Sequence, residues 1–402
     1  MPTNNYKKDF QLFTAHPDLI YLDNTATTPK PKRVVTVLSD FMNNDNATVH
    51  RGIYALSQVA TDRCEAVRDK IKQFINAKQS EEIIFTKGTT ESLNLVAYSY
   101  ARTFLKEGDE IIITAMEHHA NIVPWQIVAE EKNLRIKVVP IFDSGELDMS
   151  ALKALLSDKT KLVALTHISN ALGTVNPVRE IIKFVREKTS AVVVVDGAQA
   201  VAHIPVDVQE LDCDFYAFSG HKMYGPTGVG ILYGKEQYLS KMPPYQTGGD
   251  MVETVTFEKT TFAKIPARFE AGTPMIAEII GLGEAVSYIH DIGFDTIQRI
   301  EERLLNEATR ALSELNGLRL IGTAAHKEAI LSFVLEGIHP HDIGSFLDQE
   351  NIAVRVGHHC AQPVMQRYKV PATVRASLCF YNSSEDIMAL AKALKKAQEY
   401  FL

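Results

Sequence analysis

Cysteine is scarce in this chain: four residues, Cys64, Cys213, Cys360 and Cys379, in 402. They form no metal-ligand spacing, and four scattered thiols are no disulfide framework for so long a chain. A reducing cytoplasm is therefore the expected compartment. Long apolar runs are missing as well. Ala191 to Val195 is apolar throughout, yet far shorter than the roughly 20 residues a membrane helix needs. No basic stripe is present and the formal net charge is −7, which argues against nucleic acid as a partner. The stretch Met1 to Asp9 has no apolar core, so no secretory leader is expected there. Internal repeats and low-complexity segments are also lacking. What remains has the composition of a soluble globular enzyme, 46% hydrophobic and 23% charged, with length for two or three domains.

Strand and helix patterns alternate through the first two thirds. Strands are expected at 82–86, 110–114, 135–140, 162–166 and 191–195, with helices at 90–105, 121–131, 149–156 and 179–187 between them. Further strands are expected at 215–218 and 230–233. Short apolar runs separated by helices imply a largely parallel sheet covered on both faces. Near residue 260 the pattern changes. Helices are expected at 278–289, 295–315, 341–350 and 385–400, and strands at 329–335, 353–356 and 374–380, the signature of a small α+β domain.

Chemistry concentrates where the strands end. Asp196 closes the run Val193-Val194-Val195-Asp196, and Lys222 follows the next strand in Ser219-Gly220-His221-Lys222. A buried acid and a positioned lysine are what pyridoxal phosphate needs. The amine forms a Schiff base with the cofactor aldehyde, and the acid keeps the pyridine nitrogen protonated so that the ring accepts electrons. Gly88, Thr89 and Thr90 lie between a strand and a helix, where backbone N–H groups and hydroxyls suit a phosphate; taken alone, the same residues read as a plain helix cap. Ser219 and His221 flank the lysine and can complete that shell. The pair His118-His119 follows another strand: a ring there can stack on a pyridine face and carry protons, or be an ordinary surface histidine. Asn170 and Gln199 also follow strand ends. In a parallel sheet, ligands gather at the carboxyl ends of the strands.

At these residues the chain resembles the class V, fold-type I pyridoxal-phosphate enzymes, and more closely the group II, SUF-type (SufS-like) cysteine desulfurases, which overlap with selenocysteine lyases. The motifs carrying this span nearly the whole chain: Tyr21-Leu22-Asp23-Asn24-Thr25-Ala26, His50-Arg51-Gly52, Gly88-Thr89-Thr90-Glu91, Glu117-His118-His119-Ala120-Asn121, Asp196-Gly197-Ala198-Gln199, Ser219-Gly220-His221-Lys222, Arg268 to Pro274, and Arg355 to Pro363. The resemblance implies a mainly parallel seven-stranded sheet in a large domain, residues 21–260. It implies a dimer-contact and connecting segment over 261–290, and a small α+β domain from 1–20 and 291–402. It implies Lys222 as the Schiff-base lysine, Asp196 on the pyridine nitrogen, Gln199 on the ring oxygen and His119 stacked over the ring. Thr90, Ser219 and His221 would hold the phosphate, with Thr273 reaching in from the partner of a homodimer. Arg375, helped by Asn170, would bind the substrate carboxylate, with Arg355 near the mouth.

Cys360 matches the cysteine that becomes a persulfide, so the implied reaction is L-cysteine to L-alanine, with sulfur passed on for iron–sulfur cluster assembly. Neighbouring cations lower a thiol pKa; Arg355, His358 and His359 stand close in sequence. The short loop between Arg355 and Cys360 resembles group II, where an acceptor protein must come to the sulfur. His341, in His339-Pro340-His341-Asp342, resembles members that pair with a zinc-containing, SufU-like acceptor. No resident metal is expected, since three adjacent residues, His358-His359-Cys360, are a weak zinc pattern. Another class V enzyme, an aminotransferase or a selenocysteine lyase, is the alternative.

Overall fold

The computed structural model describes residues 6–402. Met1 to Asn5, the start of the stretch read for a leader, lie outside the described residues. Seven strands build the central sheet: β1 (Ile83–Thr86), β2 (Glu110–Thr114), β3 (Arg135–Val139), β4 (Thr160–Thr166), β5 (Val192–Asp196), β6 (Phe215–Ser219) and β7 (Gly230–Gly234). Their spatial order is β1-β7-β6-β5-β4-β2-β3. Every pairing is parallel except those of β7, which runs antiparallel to both neighbours. The centre is β-branched and buried on both faces, as in Val192-Val193-Val194-Val195, because helices cover each side of a parallel sheet. At the edge, β3 exposes Arg135 and Val138, and charge on an edge discourages pairing with another chain.

Glycine permits one close approach that shapes the site. A Cβ on Gly230 would stand 2.4 Å from Gly88 Cα and 2.7 Å from the Phe218 carbonyl oxygen. The bare backbone of β7 thus lets the loop after β1 settle onto the sheet, where Gly88 takes φ 150°.

A second sheet, β8 (Leu318–Ile321), β9 (Ile330–Leu335), β10 (Arg355–Gly357) and β11 (Thr373–Ser377), is antiparallel in the order β8-β9-β11-β10. It has its own apolar core, in which Leu331, Phe333 and Val374 meet Leu304, Leu390 and Leu394 from the helices Phe294–Ser313 and Ser384–Phe401. Ser383 caps the last helix in a reciprocal capping box with Asp386. The small sheet is tied to the N-terminal segment: Ser377 N–H donates to Leu22 O at 2.7 Å, and Asp23 bridges to Ser377.

Several elements differ from expectation. The helix expected over 90–105 is α-helical over Thr89–Leu95 and π-helical over Val96–Ala101. The strand expected at 353–356 divides: Ile352–Ala353 pairs with Ile20–Tyr21, and Arg355–Gly357 joins the small sheet. The helix Ala55–Phe74 gave little pattern because its buried face includes Ser57 and Arg68. Arg68 is buried there by pairing with Glu270 at 2.8 Å and donating to Ile83 O.

One buried ion pair joins the two layers. His203 Nδ1 lies 2.7 Å from Glu301 Oε2, and Glu301 Oε1 accepts from Phe380 N–H. Burial disfavours the imidazolium, but the Glu301 carboxylate outweighs it and lifts His203 to about 9. Because this is above the unfolded value of about 6.5, the stabilisation is complete below about pH 6.5 and is lost as pH rises through about 9. In urea titrations, the wild-type midpoint is expected to fall from pH 7 to pH 10. His203→Leu should lose about 3–5 kcal/mol at pH 7 and show a flatter pH dependence; equal slopes would refute the assignment.

Candidate active site

The carboxyl ends of the parallel strands converge on a cleft of about 230 Å³, lined among others by Thr90, His118, Asn170, Asp196, Lys222 and Cys360. Asp196 ends β5, and Lys222 ends the 3-10 turn after β6. Asp196 is buried, and its Oδ1 accepts from Ala198 N–H at 2.9 Å. Burial raises the Asp196 pKa against the opposing pull of Lys222. Burial also lowers that of Lys222, against the pull of Asp196. An acid and an amine, each desolvated and each leaning on the other, face one polar cleft.

Beside them, Thr89 N–H and hydroxyl both meet Ser219 Oγ, at 2.9 and 2.7 Å. With Thr90 and His221 they line the cleft and an adjoining hollow at Gly88. His221 is held down to about 4 by burial, then by Lys222 and Lys30. Gln199 also lines the cleft, with its Nε2 donating to Thr25 O at 2.9 Å.

Arg375 is the anchor on the other wall. It is 2% exposed; its Nη1 donates to Asn170 O at 3.0 Å and its Nη2 to Asp23 Oδ1 at 3.3 Å. Asp23 Oδ2 lies 3.6 Å from Arg355, which is exposed at the mouth. Burial lowers Arg375 to about 10, so it remains a cation at neutral pH. Its Nε and the Nδ1 of His359 are buried without a partner. These two orphans lie on residues that line the cleft, which fits a site built for a polar guest.

Cys360 is the one exposed thiol; Cys64, Cys213 and Cys379 are buried, and burial raises the pKa of all three. The loop carrying Cys360 has left-handed backbone at His359 and Cys360, both φ 54°, at a cost on the order of 1–3 kcal/mol each. Hydrogen bonds offset that strain. Asn170 Nδ2 donates to His359 O, and His119 N–H donates to Cys360 O, both at 2.7 Å. His359 Nε2 meets Thr373 Oγ1 at 2.7 Å.

One expectation needs correction. His119 does not line the cleft. Its ring turns to the cysteine loop, where Nε2 accepts from Gln362 N–H at 3.1 Å, and it borders an outer groove. The imidazole in the cleft is His118. Its Nδ1 accepts from Ala120 N–H at 3.0 Å, which places the ring proton on Nε2. Burial first, then Lys222, lowers His118 to about 4, so it is neutral at pH 7. His118 caps the 3-10 turn His119–Asn121 with an extended backbone while His119 opens it, and only the tertiary fold decides which ring enters.

Thr273 and His341 do not line this cleft. Thr273 is exposed on the turn before the helix Ile276–Ile292. His341 is exposed at the start of the helix Pro340–Gln349, stacked on His339. Sequence reasoning also missed Asp23, the carboxylate between two arginines. Its place just past the strand Ile20–Tyr21 was the available signal.

The aminotransferase class-V pattern matches residues 20–390. The chain belongs to that family. Its cofactor is pyridoxal 5′-phosphate. The chain is 51% identical over 380 residues to a cysteine desulfurase of Synechococcus elongatus, covering 94% of this chain but 60% of that longer protein. It is 49% identical over 402 residues to a cysteine desulfurase of Yersinia pestis, covering 99% and 98%. The solved cysteine desulfurase CsdA of Escherichia coli superposes with TM-score 0.92 at 38% identity, covering all of both chains. The residues present fit the cofactor: a buried acid and amine, a hydroxyl-rich hollow at Gly88 and Ser219, and a neutral imidazole share one cleft.

His118→Ala is expected to change the visible spectrum of the cofactor-loaded protein, while His119→Ala leaves it unchanged. The reverse result would return His119 to the ring.

Proposed function

We propose that this chain is a cysteine desulfurase that converts L-cysteine to L-alanine and leaves the sulfur on Cys360 as a persulfide. The observation that carries this is the placement of the exposed Cys360 thiol in the same cleft as Lys222 and Arg375. An aminotransferase needs no such thiol.

Lys222, Asp196, Gln199 and His118 would hold the cofactor ring, and Thr89, Thr90, Ser219 and His221 would hold its phosphate, since all of them line the cleft. Bound pyridoxal phosphate supplies an electron sink that acidifies the substrate's α-proton and weakens its carbon–sulfur bond. Arg375 binds the substrate carboxylate, oriented by the Asn170 carbonyl and the Asp23 carboxylate. The Lys222 amine, whose pKa burial lowers, takes the α-proton as a general base and returns a proton to the same carbon before alanine leaves. Neutral His118, with its proton on Nε2, handles the proton at the substrate sulfur. Cys360 as thiolate attacks that sulfur. The sulfur–sulfur bond forms as the carbon–sulfur bond breaks, and the electron pair stays on carbon, which is protonated to give alanine. Atoms balance: cysteine and one thiol become alanine and one persulfide.

The stitched loop around Cys360 supports transfer to an acceptor protein that comes to the cleft, for iron–sulfur cluster assembly in the cytoplasm. Among the described residues no helix is long and apolar enough to cross a membrane. His341, exposed on its helix, is read as the contact for a zinc-containing, SufU-like acceptor. Residues 21–260 are read as the cofactor-binding domain, 261–290 as the dimer contact, and the remainder as the small domain. A homodimer in which Thr273 reaches the partner's phosphate site accords with its exposed turn. The apolar groove beside the cleft, with Tyr98, Val123 and Ile127 exposed, offers a surface for the second copy.

The test is alanine and sulfide release from L-cysteine with a reductant. Cys360→Ala is expected to lose at least about a hundredfold in both products, and stimulation by a zinc-containing acceptor is expected to vanish in His341→Ala. Alanine release by Cys360→Ala at the wild-type rate would remove Cys360 as sulfur acceptor and favour a lyase or aminotransferase.

A further inference from the structure

The peptide joining His221 to Lys222 is gripped from an unexpected side. The His221 carbonyl oxygen accepts from Thr28 N–H at 3.0 Å, Thr27 Oγ1 at 3.1 Å, Thr28 Oγ1 at 3.2 Å and Lys30 Nζ at 2.9 Å. A carbonyl oxygen has two lone pairs, so four donors oversubscribe it. The Thr28 hydroxyl also accepts from Tyr224 N–H at 2.8 Å, which closes the ring of contacts around the turn bearing Lys222.

Lys30 stands at the centre. Its ammonium has three protons and three oxygen partners: the carbonyls of Thr28 and His221, and Thr27 Oγ1. All three are neutral. Burial pulls the Lys30 pKa down to about 7, with no carboxylate opposing it. Lys30 keeps some exposure to solvent, and a partly dehydrated charge without a counter-charge is disfavoured. A neutral side chain of similar length would fill the space but would leave the Thr28 carbonyl without its donor. Backbone carbonyls and hydroxyls around a single positive charge are the surroundings a monovalent cation takes.

We propose that Lys30 is a positioning residue for Lys222: its ammonium occupies the place of a monovalent cation and, by holding the His221 carbonyl, fixes the peptide from which the Lys222 amine reaches the cleft. This rests on the reading of Lys222 as the cofactor lysine. The turn is pinned on its other side by Met223 N–H and Gly225 N–H, both donating to Gly220 O at 3.0 and 2.9 Å. Lys30 brings the one charged donor to the His221 carbonyl, beside the three neutral donors from Thr27 and Thr28. A small displacement of a reacting group is amplified strongly in rate, so a clamp one peptide from the amine controls turnover more than substrate binding.

Cofactor-loaded wild type, Lys30→Ala and Lys30→Met are compared by kcat and KM for L-cysteine, by visible circular dichroism of the bound cofactor, and by thermal melting. Lys30→Ala is expected to lose about tenfold or more in kcat, with KM changed less than about threefold, and to show a weaker visible dichroism. Methylammonium, which fits the space of the missing amine, is expected to restore both in Lys30→Ala. Lys30→Met, whose thioether fills that space, is expected to show the loss without the rescue. The inference is overturned if both variants keep wild-type kcat and dichroism. It is also overturned if neither methylammonium, ammonium nor potassium relieves the loss in Lys30→Ala, which would mark Lys30 as a structural residue, or if Lys30→Met is rescued equally. Lys222→Ala separates the underlying reading. If borohydride still fixes the cofactor covalently to that variant, the cofactor-lysine assignment falls, and the role of Lys30 with it.

Discussion

The desolvation of Asp196 and Lys222 together is the constraint on which the rest of the site depends. Neither group is stable in its charged form when buried alone. A parallel sheet supplies the solution, because adjacent strands deliver their carboxyl ends to one edge. There β5 releases the acid and β6 the amine. The four valines of β5 are buried behind that edge, and the glycine contact between β7 and Gly88 brings a hydroxyl-rich loop alongside. The lowered pKa of Lys222, the neutral His118 and the cationic Arg375 are different answers to the same low-dielectric setting.

The second constraint is the junction between the two sheets. Arg375 lies on β11 and Arg355 on β10, yet their shared carboxylate, Asp23, belongs to the N-terminal segment, and the carbonyl under Arg375 is that of Asn170. The cysteine loop leaves β10 and is fastened to the central layer through Asn170 and His119. Its two consecutive left-handed residues persist because these bonds over-determine them. Chemistry that needs a carboxylate anchor, an amine and a thiol in one place is therefore assembled from both layers, with His203 and Glu301 holding them in register.

Much of this was legible in the residues. Strand runs such as Val192 to Val195 and Phe215 to Phe218 read correctly because both their burial and their β-branched or aromatic character are local. Asp196 and Ser219 stood out because each ends a strand, and Lys222 because it closes the short turn after one. The helix Ala55–Phe74 and the hairpin Val252–Val255 with Thr260–Phe262 did not show. The former hides Arg68 on its buried face by a pairing with Glu270, and the latter is largely exposed on both strands.

The sequence by itself determined the sheet, the strand ends and the residue types placed at them, since apolar period and turn chemistry are short-range properties. Only the tertiary structure decided which of His118 and His119 enters the cleft, that Asp23 links two arginines, and that Lys30 grips the His221 carbonyl. Those outcomes turn on side-chain direction and on contacts between segments as far apart as Lys30 and His221. No local pattern encodes such contacts; packing selects them when the layers close.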